Sequence, residues 1–242
     1  MDKIDKNPDT LQKAAQAIAD ADALLIGASN GLSIAEGYHV FADNEMFRSR
    51  FDDFRQRYGI RNVIEGCFFP YPDAESRKEF CRRLVQQWVE EYRPSEVMKD
   101  LLALVGGKDY FVLTTNGDTH LELAGFDSAK VFELEGTFLQ MLHDAPIEDK
   151  SGELQQFLAH YHGKRLVILE LGIGSRDRLI KLPLMQLTAR EPYATYITLN
   201  LAQELYIPDE ISRQSIGLPG DIAATLHELN QLVPIERTSP EM

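Results

Sequence analysis

The sequence predicts an α/β fold in which helices pack on a parallel β-sheet. Short apolar runs have the length and the β-branched or aromatic content of buried strands, and segments with helical periodicity separate them. Small or polar residues follow each run at once: the runs are 23–26, 110–113, 165–171 and 194–199, and they lead into Gly27, Thr115 with Asn116, Gly172 and Asn200. Because ligands bind at the carboxyl ends of the strands in such sheets, this edge is expected to hold one extended ligand with phosphates and ribose.

The composition limits the class of protein and its surroundings. The chain has 242 residues, 44% of them hydrophobic, which is ordinary for a globular protein with a full core. Its net charge of −13 argues against a nucleic acid as the main partner, because phosphates would be repelled. No apolar run is long enough to cross a membrane, and the first residues lack the apolar core of a signal peptide. Two cysteines fit a reducing compartment, so we expect a cytoplasmic protein.

The residues that commonly bind metals do not predict a metal site. The two cysteines, Cys67 and Cys81, cannot form a four-cysteine zinc site. His160 and His162 form a His-x-His pair with no third ligand nearby in the sequence, for which a surface or structural role is the main interpretation and a metal pair the alternative. We therefore expect no bound metal.

The first predicted strand opens a loop of small residues. A helix over 10–22 precedes the strand, and the loop Gly27-Ala-Ser-Asn-Gly-Leu-Ser33 leads into a second helix. Small residues at such a place allow backbone N–H groups to approach a phosphate at a helix N-terminus. A tight turn between a strand and a helix would use the same residues, and the loop matches neither the commoner dinucleotide motif nor a Walker loop. Both interpretations stay open.

The segment between the first two predicted strands is helical. Helical periodicity over 46–58 and 75–92 places aromatic side chains on one stripe of each segment, which is typical of core packing. Ser95 is expected to cap a further helix over 96–105, which the glycine at 106 ends.

This helical segment leads to a division of the chain. Residues 1–37 and 101–242 are expected to form the sheet domain, and residues 38–100 an inserted helical subdomain. The insertion is expected to form one wall of the ligand groove.

The residues after the strand 110–113 are the strongest candidates for chemistry. Asn116 and Asp118 lie two residues apart with Gly117 between them. The amide of Asn116 can donate and accept, and the carboxylate of Asp118 can accept from an N–H group, so the pair suits a small planar ligand that has an amide of its own. An ordinary Asn-Gly-Asp turn is the alternative interpretation.

The second half of the chain continues the alternation. A short strand is expected over 130–134, and helical periodicity predicts helices over 179–187 and 222–232. Residues 137–163 are expected to be irregular, apart from a short helix for which Ser151 is the candidate cap.

Short motifs follow one another along the chain in a fixed order. They are Gly27-Ala-Ser-Asn-Gly-Leu-Ser33 through Gly37, Thr115-Asn-Gly-Asp118, Glu133-Leu-Glu-Gly136, Gly172-Ile-Gly174 and Asn200. Over residues 20–232 their order and spacing resemble those of the NAD-dependent sirtuins. The details are most similar to the class M sirtuins, a microbial branch linked to macrodomains that acts as protein ADP-ribosyltransferases. The resemblance implies a Rossmann-like parallel sheet with helices on both faces, a small helical elaboration, and NAD as a co-substrate.

The resemblance also implies roles for single residues. Asn116 and Asp118 would hold the nicotinamide carboxamide, Glu135 would lie on the opposite side of the ribose, and Phe41 would lie over the nicotinamide side of the cleft. The other residues implied in NAD binding are Gly27, Ala28, Ser29, Gly31, Thr115, Gly172, Gly174, Ser175, Asn200 and Leu201. Among them, the residues at 27 and 28 and the turn at 172 would face the phosphates, and the asparagine at 200 would meet the adenosine ribose.

Departures from the family change the expected activity. Glu135 stands where the deacylases have a histidine, Ala42 stands where the family has an arginine, and the zinc ribbon is missing. A carboxylate is a poor substitute for an imidazole that titrates near neutral pH, so we expect weak or no lysine deacylation. A carboxylate at 135 can instead stabilise positive charge on the ribose or take a proton from an acceptor, and a simple turn carboxylate is the alternative.

The resulting hypothesis is an ADP-ribosyltransferase that cleaves the nicotinamide–ribose bond of NAD and transfers ADP-ribose to a protein. The resemblance to class M suggests a lipoyl-carrier protein as the acceptor and a macrodomain as the hydrolase that reverses the reaction. Two alternatives stay open: a sensor that binds NAD or ADP-ribose without chemistry, and an NAD glycohydrolase that uses water as the acceptor.

Overall fold

A parallel sheet forms the centre of the molecule. The computed structural model describes residues 8–233, and its strands are β1 (Ala23–Ala28), β2 (Asp109–Thr114), β3 (Val131–Glu133), β4 (Leu166–Leu171), β5 (Thr195–Asn200) and β6 (Ser215–Pro219). They lie in the order β3-β2-β1-β4-β5-β6, and all neighbouring pairs are parallel. The strand order reverses between β1 and β4, which is where such sheets form a ligand crevice. The prediction of a Rossmann-like parallel sheet is confirmed.

Helices cover both faces of this sheet. In chain order they are α1 (Pro8–Asp20), α2 (Asn30–Ala35), α3 (Glu45–Tyr58), α4 (Val63–Cys67), α5 (Ala74–Val85), α6 (Glu96–Val105), α7 (His120–Leu123), α8 (Phe138–His143), α9 (Ser151–Tyr161), α10 (Lys181–Arg190) and α11 (Ile222–Leu232). A π-helical turn, Gln86–Glu90, continues α5, and short 3-10 turns lie at Ser128–Lys130 and Asp209–Gln214.

The central strand shows why the predicted strands read as continuous apolar runs. Successive side chains of a strand point to opposite faces of the sheet. Leu24 and Ile26 of β1 pack with α1, α6 and α11 on one face, whereas Leu25 packs with α9 and α10 on the other. Both faces of the strand are therefore buried, as is usual for a parallel strand between two layers of helices.

A separate core lies in the helical segment between α2 and α6. Phe47, Phe51 and Phe54 of α3 pack against Phe80 of α5 and Trp88 of the π-helical turn. These aromatic side chains pack together as the helical spacing indicated. Helix α6 instead packs with α11 against the sheet. The predicted domain boundaries stay a prediction.

Strand β6 and helix α8 are among the elements that the sequence pattern misses, and one predicted cap is misplaced. Strand β6 is a short edge strand whose glycine and proline hide it from pattern analysis. Helix α8 occupies part of the segment expected to be irregular, although Thr137 and Gln140 form a capping box that the Thr-x-x-Gln spacing signals. Ser151 is not an N-cap: it is the first residue of α9, and its N–H donates to Asp149 Oδ1 at 2.9 Å.

The described residues contain neither a helix suited to cross a membrane nor a cluster of metal-binding side chains. Between residues 8 and 233, no helix combines the length and the apolar character needed to cross a membrane. In the same part of the chain, no three His, Cys, Asp or Glu side chains are grouped so that they could hold a metal ion. His162 of the His-x-His pair lies 2.8 Å from Glu191, between Nδ1 and Oε1.

Candidate active site

The carboxyl ends of the central strands lie side by side at one edge of the sheet. Ala28, the last residue of β1, pairs with Thr114 at the end of β2 and with Leu171 at the end of β4. Leu171 in turn pairs with Leu199, one residue before the end of β5. Because neighbouring strands are about 5 Å apart, the loops that follow these strands start next to one another.

The loop after β1 and the glycine turn after β4 are in direct contact. The Gly31 N–H donates to the Gly172 carbonyl oxygen at 3.1 Å, and the Ser29 N–H donates to the Leu171 carbonyl oxygen at 3.3 Å. A Cβ atom on Gly31 would lie 2.5 Å from the Gly172 Cα, which is too close. Gly172 has a φ of 63°, a conformation that favours glycine. Both glycines are therefore needed where the two backbones approach.

The side chain of Asn116 joins the loop after β2 to the loop after β1. Its Nδ2 donates to the Ser29 carbonyl oxygen at 3.1 Å and to Ser33 Oγ at 3.0 Å. The carbonyl can only accept, so the orientation of the amide is fixed. Asn116 Oδ1 is buried and has no hydrogen-bond partner among the described residues. An unpaired buried acceptor costs about 1–3 kcal/mol, and this oxygen is available to a donor from outside the described residues.

Asp118 is held close to Asn116 by donors from two directions. Ser33 Oγ donates to Asp118 Oδ2 at 2.5 Å, and the N–H of His120 donates to Oδ1 at 3.1 Å. The Asp118 side chain is only 7% exposed. A carboxylate oxygen has room for more than one hydrogen bond, so both oxygens of Asp118 can also accept from a ligand. Ser33 is thus a shared partner of both candidate residues.

Two side chains of this cluster have no role in the sequence analysis. Ser33 lies one helical turn after Ser29, and this i, i+4 spacing could have placed both on the side of α2 that faces the cleft. His120 is fully buried, with Nδ1 donating to Glu36 Oε2 at 3.0 Å and Nε2 to the Trp88 carbonyl oxygen at 2.8 Å. The sequence does not show whether a single histidine is buried, so no local pattern identifies His120 as part of the site.

A cavity of about 210 Å³ adjoins the loop of Asn116. Its lining is mostly apolar and consists of Ile64, Cys67, Phe68, Thr115, Gly117, Glu135, Gly136, Thr137, Phe138, Gln140, Met141, Ala145 and Ile147. Glu135 is exposed and is the acidic residue of this lining. The turn that carries it is fixed to the loop after β2, because the Phe138 N–H donates to the Gly117 carbonyl oxygen at 2.7 Å. The structure therefore places Glu135 beside the loop of Asn116.

A buried carboxylate supports the glycine turn after β4. Glu170 Oε1 accepts the N–H of Ile173 at 3.0 Å, and its other oxygen accepts from Lys181 Nζ at 2.8 Å. Hydroxyl groups of Tyr196 and Thr198 donate to that same oxygen, at 2.8 and 2.5 Å. In the sequence, Glu170 is only one residue of the strand run 165–171, because its partners come together through the sheet.

The structure does not place all the predicted binding residues at the cleft. Gly27 and Ala28 lie inside β1 and are buried, and a Cβ on Gly27 would meet Leu184 of α10 at 2.4 Å. The expectation that these two residues face the phosphates stays a prediction, and the accessible part of the loop begins at Ser29. Phe41 is 51% exposed, and its ring lies beside that of His39 rather than in the cluster of Asn116.

The predicted residues near β5 and after β4 have mixed positions. Asn200 is buried and its Nδ2 donates to the Ile173 carbonyl oxygen at 2.7 Å, so its amide supports the glycine turn. Leu201 is exposed. Gly174 is exposed, and the N–H of Ser175 donates to a carboxylate oxygen of Glu204 at 2.9 Å.

Comparisons with known proteins agree with this architecture. No model of a protein family matches the chain. The sequence is 24% identical over 282 aligned positions to a protein ADP-ribosyltransferase of Staphylococcus aureus strain Mu50, and the match covers 93% of this chain and 88% of that protein. A solved structure from work on the mechanism and regulation of Sir2 enzymes superimposes with a TM-score of 0.58 at 15% identity, over 94% of this chain and 98% of that one. The chain has the Sir2 fold.

The Sir2 fold confirms, at the level of architecture, the resemblance that the motifs indicated. The motifs of Ser29, Asn116 and Gly172 are far apart in the sequence, and this fold brings their loops into direct contact at the carboxyl edge of the sheet. The motif that ends in Gly136 lies beside them, around the cavity.

Proposed function

We propose that the protein is an NAD-dependent protein ADP-ribosyltransferase. The observation that carries the proposal is the buried Asn116 Oδ1, which lacks a partner among residues 8–233 and lies where the loops after β1 and β2 meet. The Staphylococcus aureus relative is a protein ADP-ribosyltransferase, and the similarity extends over 93% of this chain. A Sir2-type sheet also provides the edge at which a dinucleotide binds.

Asn116 and Asp118 are the residues that hold the nicotinamide carboxamide. Because Asn116 Nδ2 is engaged by Ser29 and Ser33, only Oδ1 is available to accept a carboxamide N–H. Asp118 accepts the second N–H through its remaining acceptor position. NAD supplies an N-glycosidic bond whose cleavage develops positive charge on the ribose. Holding the carboxamide at both N–H groups orients the leaving base, which favours cleavage by positioning.

Glu135 is the residue that acts on the other side of the ribose. It is exposed and lines the cavity together with Thr115 and Gly117, the sequence neighbours of Asn116. A carboxylate there stabilises the positive charge of the ribose and takes the proton from the acceptor group as the acceptor attacks. The other residues that line the cavity are uncharged, so Glu135 is the group of this lining that can interact with a positive charge.

Backbone groups of two loops hold the diphosphate. The candidates are the N–H groups of Asn30 and Gly174, in the loops after the neighbouring strands β1 and β4, because most other N–H groups of these loops donate within the protein. The hydrogen bonds of Ser175 lower the pKa of Glu204, so the N–H of this turn favours a negatively charged partner. Asn200 and Leu201 are the candidates for contact with the adenosine ribose.

The acceptor is proposed to be a protein that carries an apolar prosthetic chain. The cavity beside Glu135 is lined by side chains such as Phe68, Phe138 and Ile147, which suit a lipoyl chain attached to a carrier protein. A macrodomain hydrolase is proposed to reverse the modification. The unpaired thiols of Cys67 and Cys81 favour the cytoplasm as the place of this reaction.

The helical segment is proposed to act as a subdomain of its own, as the division at residues 38–100 predicts. Its aromatic core, which includes Phe51, Phe80 and Trp88, is distinct from the two cores of the sheet. Ile64 and Phe68 of this segment line the cavity, so the segment contributes a wall to the acceptor side of the site.

One observation favours hydrolysis as a second candidate function. Glu135 is exposed to solvent, so water can reach the carboxylate that would activate the acceptor. In an NAD glycohydrolase, water would take the place of the protein acceptor and free ADP-ribose would be the product.

The test incubates labelled NAD with the purified protein and candidate lipoyl-carrier proteins. Label on a carrier supports the transferase, free ADP-ribose supports the glycohydrolase, and the absence of free nicotinamide supports a sensor without chemistry.

Asn116→Ala should lower nicotinamide release at least about 100-fold, because the carboxamide loses its positioning acceptor. Asn230→Ala is the matched control, since this asparagine binds Asp100 on α6, away from the cleft. An Asn116→Ala variant with full activity would contradict the proposal.

A further inference from the structure

The imidazole of His120 is buried within reach of two carboxylates. Nδ1 lies 3.0 Å from Glu36 Oε2 and 3.8 Å from Asp118 Oδ2, and Nε2 lies 2.8 Å from the Trp88 carbonyl oxygen. The side chains of His120 and Glu36 are both fully buried. Neither residue has a role among the motifs of the sequence.

These contacts determine the charge of the ring. The Trp88 carbonyl can only accept, so Nε2 carries a proton. Glu36 Oε1 already accepts from two hydroxyl groups at 2.7 Å, which is typical of an ionised carboxylate. The proton between Glu36 Oε2 and Nδ1 belongs to the imidazole, because the imidazole is the stronger base and Asp118 adds a second negative charge nearby. Both ring nitrogens of His120 therefore donate, and the ring is an imidazolium.

Separate parts of the chain form the surroundings of this cation. Trp88 lies in the π-helical turn after α5, and carbonyl groups at a helix C-terminus lack a partner within the helix and carry partial negative charge. The hydroxyl groups of Tyr92 and Ser95 donate to Glu36, and Ser95 also caps α6. The end of the helical segment is thus fastened to the loop that carries Asp118.

Aromatic rings enclose the cation. The ring of Tyr92 stacks on His120 with 3.8 Å between centroids, and Tyr38 packs edge-on at 4.5 Å. Burial raises the pKa of both phenols, so they stay neutral. Burial by itself opposes the charge of the imidazole, but the negative charges of Asp118 and Glu36 outweigh it and raise the pKa of His120.

We propose that His120 is a positioning residue for Asp118: its imidazolium keeps the Asp118 carboxylate ionised and aimed at the carboxamide of the nicotinamide. The inference rests on the proposed function, because it takes Asp118 as the group that holds the carboxamide. With a neutral ring, Asp118 would lie near Glu36 in the interior without a compensating cation, and repulsion would favour its protonated or rotated forms. Either form offers the carboxamide fewer acceptor positions.

The proposal gives a pH dependence with a definite sign. The titratable groups that face the ring are Glu36, Asp118, Tyr38 and Tyr92. Raising the pH through the pKa of His120 removes the charge of the ring, so nicotinamide release should fall on the alkaline side. Removing the negative charge of Glu36 lowers the pKa of His120, so the alkaline fall should then occur at lower pH.

The experiment compares His120→Gln with His162→Gln by measuring nicotinamide release as a function of pH. His162 is the matched control because it also pairs with a carboxylate, that of Glu191 at 2.8 Å, but is exposed. His120→Gln should lower kcat at least about tenfold and abolish the alkaline fall. Affinity for ADP-ribose, which has no carboxamide, should be unchanged by calorimetry. His162→Gln should keep the wild-type profile, and Glu36→Gln should move the alkaline fall to lower pH.

A second measurement does not depend on activity. Nitrogen NMR of the wild-type protein with labelled histidine should show both ring nitrogens of His120 still protonated above the ordinary histidine pKa. A neutral ring at about pH 7, or a His120→Gln variant with wild-type kcat and pH profile, overturns the proposal. Wild-type protein that releases no nicotinamide would refute the proposed function, and the NMR spectrum would still decide the charge of His120.

Discussion

Buried acidic residues show how single side chains shape the site. Burying a carboxylate is costly unless it is paired or hydrogen-bonded. Asp118 is compensated by Ser33 and His120, and Glu170 by Lys181, so that each of these carboxylates supports a loop of the candidate site. Ser33 and Asp118 are distant along the chain. The pairs His120–Asp118 and Lys181–Glu170 are closer in sequence, and the fold buries both. Charge compensation in this protein is thus a property of the folded state.

The stability of the folded protein is expected to depend on pH through the carboxyl group of Glu122. It lies in α7, and burial together with the hydrogen bond and negative charge of Glu133 raises its pKa from 4.5 to about 8. The folded protein therefore holds a proton that the unfolded chain releases at lower pH, and the stability this proton provides is lost as the pH rises from 4.5 to about 8. Glu122→Gln, which is neutral at every pH, should raise the Tm by at least about 2 °C at about pH 9 and change it little at about pH 5.

The control for this prediction is Glu153→Gln, at an exposed position of α9. Differential scanning calorimetry at both pH values should show less than about 1 °C of change for it. An equal gain in Tm at both pH values for Glu122→Gln would show that its carboxyl does not titrate as described.

At the scale of elements, the candidate site depends on how closely loops approach one another. The loop after β1 meets the glycine turn after β4 through the Gly31–Gly172 hydrogen bond, and Asn200 at the end of β5 binds the same turn through the Ile173 carbonyl oxygen. Three neighbouring strands thus fix one turn. The spacing of the strands decides how much room the loops have.

Substitution of Gly31 tests this close approach. In Gly31→Ala, the new Cβ would lie 2.5 Å from the Gly172 Cα and 2.6 Å from its carbonyl oxygen, so one loop must move. The expected loss of stability is about 1–3 kcal/mol, with weaker binding of ADP-ribose. Urea denaturation and calorimetry measure the two effects.

The matched control is Gly152→Ala in α9, where a Cβ would meet nothing within 4 Å. Alanine is the better helix former, so this variant should gain up to about 1 kcal/mol and bind ADP-ribose like the wild type. Unchanged stability of Gly31→Ala would mean that the two loops can separate without cost.

At the scale of the whole molecule, the helical segment and the sheet meet at the cavity beside Glu135. Phe68 follows α4 of the helical segment, whereas Glu135 and Phe138 follow β3 of the sheet. Phe68 is 81% exposed, which is unusual for a phenylalanine and favours contact with an apolar chain of the acceptor. The proposed acceptor side of the site therefore has walls from both parts of the chain.

The substitution Phe68→Ser is expected to impair transfer of ADP-ribose to the carrier protein without impairing cleavage of NAD. The substitution removes apolar surface from the acceptor wall and leaves Asn116 and Asp118 untouched. The KM for the carrier protein should rise about tenfold, whereas nicotinamide release without an acceptor should stay at the wild-type rate. Tyr193→Ser is the control, because Tyr193 is an exposed aromatic residue just before β5, at the opposite edge of the sheet. Equal loss of both activities in Phe68→Ser would place Phe68 outside the acceptor wall.

Local sequence patterns predict the central strands and helices of this protein better than its edge strand β6 and the exact ends of its strands. The central strands and most helices follow from apolar runs and helical spacing, because burial of one face or both imposes those periods on the sequence. Strand β6 lacks such a run and exists because β5 offers it a partner, with Ile197 paired to Ile216. The same limit applies to Gly27 and Ala28: the loop motif marks the strand end, but only the register shows that both lie inside β1.

The sequence by itself determined the alternation of strands and helices, the small residues at the strand ends, and the choice of Asn116 and Asp118, because these depend on residues close together in the chain. The tertiary structure decided which loops touch and which groups are charged. Ser33 reaches Asp118, and Glu36 reaches His120, across more than 80 residues of chain. Such contacts are set by the order of the strands, and a buried group takes its charge from the neighbours that this order brings to it.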